Sequence, residues 1–272
     1  MSTFNLKFNE SKTLKGIVET LTSVIDEIEI IVTPDALIFT AMDPSRICLL
    51  KLTLKKENFD EYKFTGTDTY KLGICLDDLN KIIKRSAIND TIRLTYDHEA
   101  QKIKVIMERE TTKRKRTFSL SLLDMDQEEI PFENLLKIEY SSKMTINPNI
   151  IAEAIKDGEI YSDILSLKLS EIKGVLFNSF GQIGEMNYEL GLDELEKHDI
   201  NEDCNGSYSI TFLKAILKLS TITKELEISL KTDHPIKMIF TLQNDDEVLY
   251  FLAPRVEEED LSDMDDDELE DF

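Results

Sequence analysis

The residues of this chain best suited to bind a chemical group are lysines and arginines at helical spacing. They form three groups: Lys12 with Lys15, Lys81 with Lys84 and Arg85, and Lys214 with Lys218. Spacings of three or four residues place each group on one face of a helix. Such a face can bind phosphates without reading bases, and more weakly as salt rises. On any single helix, a solvated surface with ordinary lysines is the better explanation of the pattern. Its recurrence on several helices favours a shared phosphate-binding surface.

Motifs for catalysis or metal binding are absent from the sequence. The chain has no P-loop, GxSxG or HExxH motif, and its three histidines lie far apart. The acidic segment DMDDDELEDF lacks the glycine and the fixed spacing of an EF-hand. We therefore expect no catalytic residue, no cofactor and no metal site, and the sequence favours a binding protein over an enzyme.

Four segments with helical periodicity must position the cations: residues 11–22, 76–86, 147–158 and 208–219. On the segments that carry the three groups, the cations lie opposite the apolar stripe. The third segment, which Asn147 and Pro148 open as cap and first residue, differs from the others. Its Lys156 is accompanied by three carboxylates, those of Glu153, Asp157 and Glu159.

Segments that alternate with period two fill the intervals and predict antiparallel strands, as in TIRLTYD, LSLKLSE and IKMIFTLQ. The order strand, helix, strands, helix, strands occurs twice, and the second pair of helices starts 136 and 132 residues after the first. This agreement predicts an internal duplication. We expect an α+β protein with domains at 1–122 and 135–258, a connector at 123–134 and a tail at 259–272.

Charge is unevenly distributed along the chain. The formal net charge is −22, and residues 257–272 carry 11 carboxylates without a lysine or arginine. So dense a run of like charge predicts a disordered solvating tail, although an electrostatic gate that competes with DNA or acidic partners is an alternative. Three scattered cysteines favour a reducing compartment. Neither a signal peptide nor a membrane span is expected.

One further basic cluster, KRKR at residues 113–116, directly precedes the alternating segment TFSLSLL. Side chains on a strand point to two opposite faces, so this cluster is unsuited to reading DNA as a unit. A solvated edge strand or a protein interface explains it better.

Four further segments are distinctive: TAMDPSRICLLKLTL, DLNKIIKRS, LLDMDQEEIP and YFLAPRVEEE. They resemble the proliferating cell nuclear antigen (PCNA) family, the DNA polymerase sliding clamps, and are nearest its archaeal members. The resemblance extends from Phe4 to about Glu259 in the same order and spacing. Only the long acidic tail departs from the family pattern.

The resemblance implies a two-domain DNA clamp of the processivity fold, with duplicated β/α units. Three subunits would form a ring with antiparallel sheets outside and helices lining the pore. The activity would be mechanical: the ring encircles double-stranded DNA and tethers DNA polymerase, flap endonuclease, DNA ligase and other proteins that carry a clamp-binding peptide, after an ATP-driven clamp loader places it. The compartment would be the cytoplasm and nucleoid of an archaeon, or the nucleus of a eukaryote.

Three sets of site residues follow from the resemblance. The DNA-facing set is Lys12, Lys15, Lys81, Lys84, Lys156, Lys214 and Lys218. The pocket for a partner peptide with a glutamine and an aromatic plug comprises Met42, Arg46, Ile47, Leu49, Leu123, Ile130, Pro131, Pro235, Phe251, Ala253, Pro254 and Val256. The subunit interface would pair two otherwise exposed strand edges. One belongs to the strand at 116–122, with Arg116, Phe118 and Leu120, and the other to the strand at 175–181, with Val175, Phe177 and Ser179. Arg85 and Glu153 belong to the same interface. Glu153 is expected to pair across the boundary with Arg85 or Arg116.

Other functions fit parts of the pattern. The chain could be one subunit of a heterotrimeric or specialised clamp of the repair or checkpoint kind. Net charge and tail alone also suit an acidic chaperone for basic proteins, which would leave the helix lysines idle. An enzyme is disfavoured by the missing motifs.

Overall fold

The described chain repeats one order of elements twice, with a short helix between the copies. A computed structural model describes residues 2–8, 11–66, 69–87, 89–109, 111–125 and 132–255. Within these residues, each half contains a strand, a helix, five strands, a second helix and three more strands. The predicted duplication is therefore confirmed in the order of the elements.

The elements of the first half are β1 (Ser2–Phe8), α1 (Ser11–Thr22), β2 (Glu27–Val32), β3 (Ala36–Met42), β4 (Cys48–Lys55), β5 (Phe59–Phe64), β6 (Tyr70–Cys75), α2 (Leu76–Ile83), β7 (Asp90–Asp97), β8 (Lys102–Arg109) and β9 (Arg114–Ser121). The short helix is α3 (Phe132–Leu136). The second half has β10 (Ser142–Ile146), α4 (Pro148–Gly158), β11 (Ile164–Ser170), β12 (Gly174–Gly181), β13 (Gly184–Leu190), β14 (Lys197–Ile200), β15 (Cys204–Ser209), α5 (Ile210–Ile216), β16 (Thr223–Leu230), β17 (Ile236–Leu242) and β18 (Glu247–Leu252). A 3-10 turn, Leu217–Thr221, continues α5.

The strands form three antiparallel sheets. One belongs to the first half, in the order β5-β1-β7-β8-β9, and one to the second, in the order β13-β12-β11-β15. The third runs β14-β10-β16-β17-β18-β4-β3-β2-β6 and joins the halves, because β18 pairs with β4. In that pairing Leu49 lies opposite Phe251 and Lys51 opposite Leu249.

The core lies between the sheets and a layer of helices. Along β4, Leu50 and Leu52 are buried while Lys51 and Thr53 are half-buried, which is the alternation expected of a strand with one face on the core. α1 packs on α2 and on the 3-10 turn, and α4 packs on α5. Because their apolar stripes face the sheets, the polar faces of the helices share one open side of the layer.

Local signals predicted two helices well and overextended two others. α1 has its predicted bounds, and the Asn147 side chain caps α4 by accepting a bond of 2.9 Å from the Asn149 amide. α2 ends at Ile83, since Arg85 and Ser86 turn back through bonds of the i to i−3 type. Tyr208 belongs to β15, so the fourth predicted segment starts as strand.

The prediction that strand 175–181 offers a free edge is wrong. β12 pairs with β11 on one side and with β13 on the other. Its Val175, Phe177 and Ser179 are each 1% exposed and belong to the core of their own chain. The end strand of this sheet is β13, which the sequence did not distinguish because both strands of the hairpin alternate in the same way.

Candidate functional site

The seven lysines predicted to face DNA all lie on the helix layer. Six of their side chains are exposed and that of Lys15 is half-buried. Two of the seven are held by carboxylates of the same chain. Lys81 contacts Asp78 at 3.0 Å and Asp77 at 3.6 Å, and its hydrogen bond to Asp78 raises the pKa of Lys81. Lys214 contacts Glu159 at 2.6 Å.

The other five lysines of this set form no ion pair with any other residue that the structure describes: Lys12, Lys15, Lys84, Lys156 and Lys218. They are free to meet phosphates, because no carboxylate must first be displaced. α4 is the most acidic part of the layer, as its sequence indicates, since Glu153 and Asp157 flank Lys156 on its exposed side.

A second candidate site is an apolar cavity of about 500 Å³ on the face of the nine-stranded sheet that turns away from the helices. Seven predicted pocket residues line it: Met42, Arg46, Ile47, Leu49, Pro235, Phe251 and Ala253. Strands β3, β4 and β18 supply Met42, Leu49 and Phe251, and the other four residues lie in the loops beside them. The joint between the halves therefore also builds the cavity. An aliphatic or aromatic group of a partner would fit such a lining.

The loop between β3 and β4 is shaped by the buried Asp43. Its carboxylate accepts bonds from the amides of Ser45 at 3.0 Å and Cys48 at 2.6 Å. The Arg46 amide donates to the Asp43 carbonyl at 2.8 Å, and Arg46 has a positive φ of 58°. These bonds hold Arg46 and Ile47 at the mouth of the cavity.

A third feature is the basic free edge of β9. Arg85, Arg109, Arg114, Lys115 and Arg116 surround a cleft of about 380 Å³ together with Asp90 and Met107. The Asp90 side chain is 2% exposed and bonds Arg116 at 2.6 Å and Arg109 at 2.8 Å. Burial tends to raise the pKa of Asp90, but the bonds from Arg109 and the Ala87 amide hold it below its ordinary value.

The free edge of β13 has the opposite charge. Glu185 and Glu189 are exposed on it, and Glu153 of α4 lies beside Tyr188. Burial raises the pKa of the Tyr188 hydroxyl, and the negative charge of Glu153 raises it further. One end of the molecule therefore presents a basic strand edge and the other an acidic one.

Known proteins resemble this chain over nearly its whole length. The family model "Proliferating cell nuclear antigen, N-terminal domain" matches residues 3–130. The DNA polymerase sliding clamp of Nanoarchaeum equitans is 30% identical over 250 residues, which cover 91% of this chain and 98% of that protein. The chain belongs to the DNA polymerase sliding clamp family. Another member, from Pyrococcus abyssi, is 28% identical over 257 residues, covering 94% of this chain and 99% of the relative.

The fold of the clamp family is confirmed as well. The crystal structure of PCNA from Thermococcus kodakaraensis matches with a TM-score of 0.82 at 22% identity, over 93% of this chain and all of that one. The predicted recognition, its archaeal type and the α+β clamp fold are therefore confirmed.

Not every predicted pocket residue of this clamp lies at the cavity. The Leu123 amide donates to the Gly73 carbonyl of β6 at 2.9 Å, so Leu123 lies at the far edge of the sheet. Pro254 follows the cavity wall without lining it. Ile130, Pro131 and Val256, like the tail at 259–272, lie outside the described residues.

Three residues that line the clamp's cavity were missed from the sequence: Cys48, Asn134 and Leu135. Cys48 is buried under the cavity, and that burial raises the pKa of its thiol to about 12. Asn134 and Leu135 belong to α3, which is too short to show helical periodicity. A clue to α3 was available in the aromatic residue at Phe132, beside the connector's proline.

Metal ligands are not clustered in the described part of the clamp. No three His, Cys, Asp or Glu side chains there are grouped so as to hold a metal ion. No helix among the described residues is long and apolar enough to span a membrane.

Proposed function

We propose that this chain closes with two copies of itself into a ring around duplex DNA. The ring holds DNA polymerase and other replication and repair enzymes on the template as a processivity factor. Its activity is mechanical rather than catalytic, and its place is with the DNA in the cytoplasm and nucleoid. One observation carries the proposal: the two strands at the free edges, β9 and β13, are the counterparts of the two strands that join the halves inside the chain, β18 and β4.

The two halves have the same pairing order, so each strand has a counterpart. The series β6-β2-β3-β4 corresponds to β15-β11-β12-β13, and β5-β1-β7-β8-β9 corresponds to β14-β10-β16-β17-β18. β4 and β18 pair inside the chain, whereas their counterparts β13 and β9 end their sheets. Pairing β13 of one copy with β9 of the next would repeat the internal joint and leave neither edge bare. Such a head-to-tail contact builds a ring when its rotation closes.

Burial supports the same pairing. At the internal joint Leu50, Leu52, Val248 and Tyr250 are at most 2% exposed. The core-facing residues of the free edges are only half-buried: Phe118 and Leu120 on β9, and Met186 and Tyr188 on β13. Pairing would remove their remaining apolar surface from water, which favours association.

Charge supports the direction of the contact, because a basic β9 edge would meet an acidic β13 edge. We assign Arg85 as the partner of Glu153, since Arg116 is already bound to Asp90 at 2.6 Å and to the Arg85 carbonyl at 3.1 Å. A double-mutant cycle on Glu153 and Arg85, read from the dissociation constant of the ring, tests this pair. Additive effects would contradict the assignment.

The helix layer would line the pore, where its cations attract the phosphate backbone without reading sequence. The five unpaired lysines supply most of this attraction. The apolar cavity would receive the aromatic plug of a partner's peptide, and partners would include polymerase, clamp loader, flap endonuclease and ligase.

Mass and topology together test the proposal. Light scattering should give about three times 31.3 kDa. After loading by a clamp loader, the ring should stay on closed circular DNA and be lost from the same DNA once it is cut, because only an encircling protein escapes at ends. Equal retention on both forms, or a monomer that binds basic proteins instead, would overturn it.

A further inference from the structure

The helix α3 supplies a wall of the apolar cavity and is anchored to the central sheet through one aromatic side chain. Asn134 and Leu135 of α3 line the cavity. Phe132, at the first position of α3, meets the Phe251 ring nearly edge-on, with ring centres 5.9 Å apart and an interplanar angle of 82°. The Lys51 Nζ lies 5.0 Å from the centre of the Phe132 ring. We call Lys51, Phe132 and Phe251 the connector clasp.

The sheet explains how the clasp is assembled. Leu49 of β4 lies opposite Phe251 of β18, and Lys51 follows Leu49 by two residues on the same face. Lys51 and Phe251 are thus diagonal neighbours, whose side chains can both reach one aromatic ring. Phe251 lines the cavity and Phe132 does not. Phe132 therefore supports Phe251 from outside the cavity and fixes the start of α3.

The chain that follows α3 is attached to the sheet at Tyr140, and this attachment differs from the connector clasp. The Lys237 Nζ lies 5.0 Å from the centre of the Tyr140 ring, the same separation as in the clasp. The Tyr140 hydroxyl also donates to the carbonyl of Pro235, a cavity residue, at 2.8 Å. Tyr140 thus keeps a second anchor when its lysine is replaced, whereas no hydrogen bond is available to the phenyl ring of Phe132.

We propose that Lys51 and Phe132 are positioning residues for partner binding. By clamping the start of α3 onto Phe251, they hold Asn134 and Leu135 in place as the cavity wall against which a partner's aromatic plug packs. This inference rests on the proposed role of the cavity as the partner-peptide site. Under this inference the charge of Lys51 helps to set the affinity of the cavity for a partner peptide, although Lys51 does not line the cavity.

The substitution Lys51→Met removes the positive charge of Lys51 and keeps an unbranched side chain of similar length. Lys51→Met should weaken binding about threefold to tenfold, the effect expected when one partly solvent-exposed cation is withdrawn from an aromatic ring. Lys51→Arg should bind like the wild type, because arginine also places a cation over an aromatic ring. Phe132→Ala should weaken binding at least as much as Lys51→Met, since the clasp then lacks its central ring.

Lys237→Met is the matched control, with the same change of charge on the same face of the sheet. Because the hydrogen bond from the Tyr140 hydroxyl to the Pro235 carbonyl remains, the affinity of Lys237→Met for the peptide should differ from that of the wild type by less than about twofold. The probe is a short fluorescein-labelled peptide with a glutamine and an aromatic plug, titrated with the intact ring. Amide hydrogen exchange without peptide gives a second readout at Lys137 and Ile138, whose amides donate to the carbonyls of Asn134 and Leu135 at 3.3 and 3.4 Å. Exchange at these two amides should be faster in Lys51→Met than in Lys237→Met.

The outcomes separate the clasp from the function on which it rests. If the wild type does not bind the peptide, the proposed function of the cavity fails. If the wild type binds, three results overturn the clasp: unchanged affinity in Lys51→Met, equal weakening in Lys51→Met and Lys237→Met, or tighter binding in Phe132→Ala. An unchanged thermal midpoint and ring mass in every variant exclude a general loss of structure as the cause of weaker binding.

Discussion

At the scale of single residues, the ion pairs of a lysine decide what it can offer to DNA. Lys81 and Lys214 are engaged with carboxylates of their own chain, whereas Lys84 has no ion pair with any described residue. Exposed pairs of this kind are weak and screened by salt, so they reduce the contribution of a lysine without abolishing it. The helix layer therefore attracts phosphate less than a count of its lysines suggests, which suits a protein that must slide.

Lys84→Ala should reduce the affinity for a short duplex and lower the slope of log affinity against log salt by about 0.9 for each phosphate that is no longer neutralised. The matched control is Lys71→Ala. Lys71 is also exposed, but it lies on strand β6 rather than on the helix layer, with its Nζ 3.9 Å from the Glu29 carboxylate. Fluorescence anisotropy over a salt series measures both slopes. A slope that falls equally in the two variants would show that DNA does not contact the helix layer.

At the scale of elements, the duplication is the decisive feature, because the internal joint serves as the template for the proposed joint between copies. β4 and β18 are neighbours in one sheet although they belong to different halves. Among the described strands, their counterparts β13 and β9 pair on one side only, and their core-facing apolar side chains are half-buried. A monomer with such edges would also be prone to other strand pairing, so closure of the proposed ring would also protect the chain from aggregation.

Tyr188→Ser on β13 should raise the dissociation constant of the ring about tenfold or more, because the aromatic surface that pairing would bury is removed. Ile172→Ser is the control, since Ile172 is 92% exposed in the turn between β11 and β12. A dilution series followed by sedimentation velocity compares the variants. If Tyr188→Ser assembles like Ile172→Ser, β13 is not the interface strand.

At the scale of the whole molecule, the net charge of −22 does not describe the helix layer, which is the surface proposed to face DNA. Half of that charge comes from residues 257–272, which follow the end of β18 and the cavity wall at Ala253. The seven lysines of the DNA-facing set lie on the helix layer, on the other side of the sheets from that cavity wall. An acidic protein can therefore hold DNA, provided that its cations and its carboxylates occupy different sides.

Deletion of residues 260–272 removes eight carboxylates and should raise the affinity for DNA at low salt. The gain should vanish near 1 M salt, where the Debye length is about 3 Å and distant charges no longer interact. A tail of the same length built from serine and glycine separates charge from length. Equal affinity of all three forms at low salt would leave the tail a solvating role only.

Local patterns were sufficient for much of the fold. The bounds of α1, the Asn147 cap and the alternation of β7, β8 and β17 follow from side-chain period and turn chemistry, which act over a few residues. The duplication followed from the offsets of 136 and 132 residues between the helices, and the cationic faces followed from lysines and arginines spaced three or four residues apart. Residues of the cavity wall such as Met42 and Leu49 were named through the resemblance to a family, since core packing explains each of them alone.

The sequence by itself determined the four helical segments of the helix layer, many of the strands, the duplication of the unit and the position of the cations. Tertiary structure alone decided that β13 rather than β12 is the end strand, that Leu123 lies at β6, and that α3 is clamped over Phe251. Each of these depends on contacts between residues far apart in the chain, on which local periodicity is silent. Strand order is such a property. Both strands of a hairpin show the same alternation of apolar and polar side chains, whichever of them pairs with a further strand of the sheet.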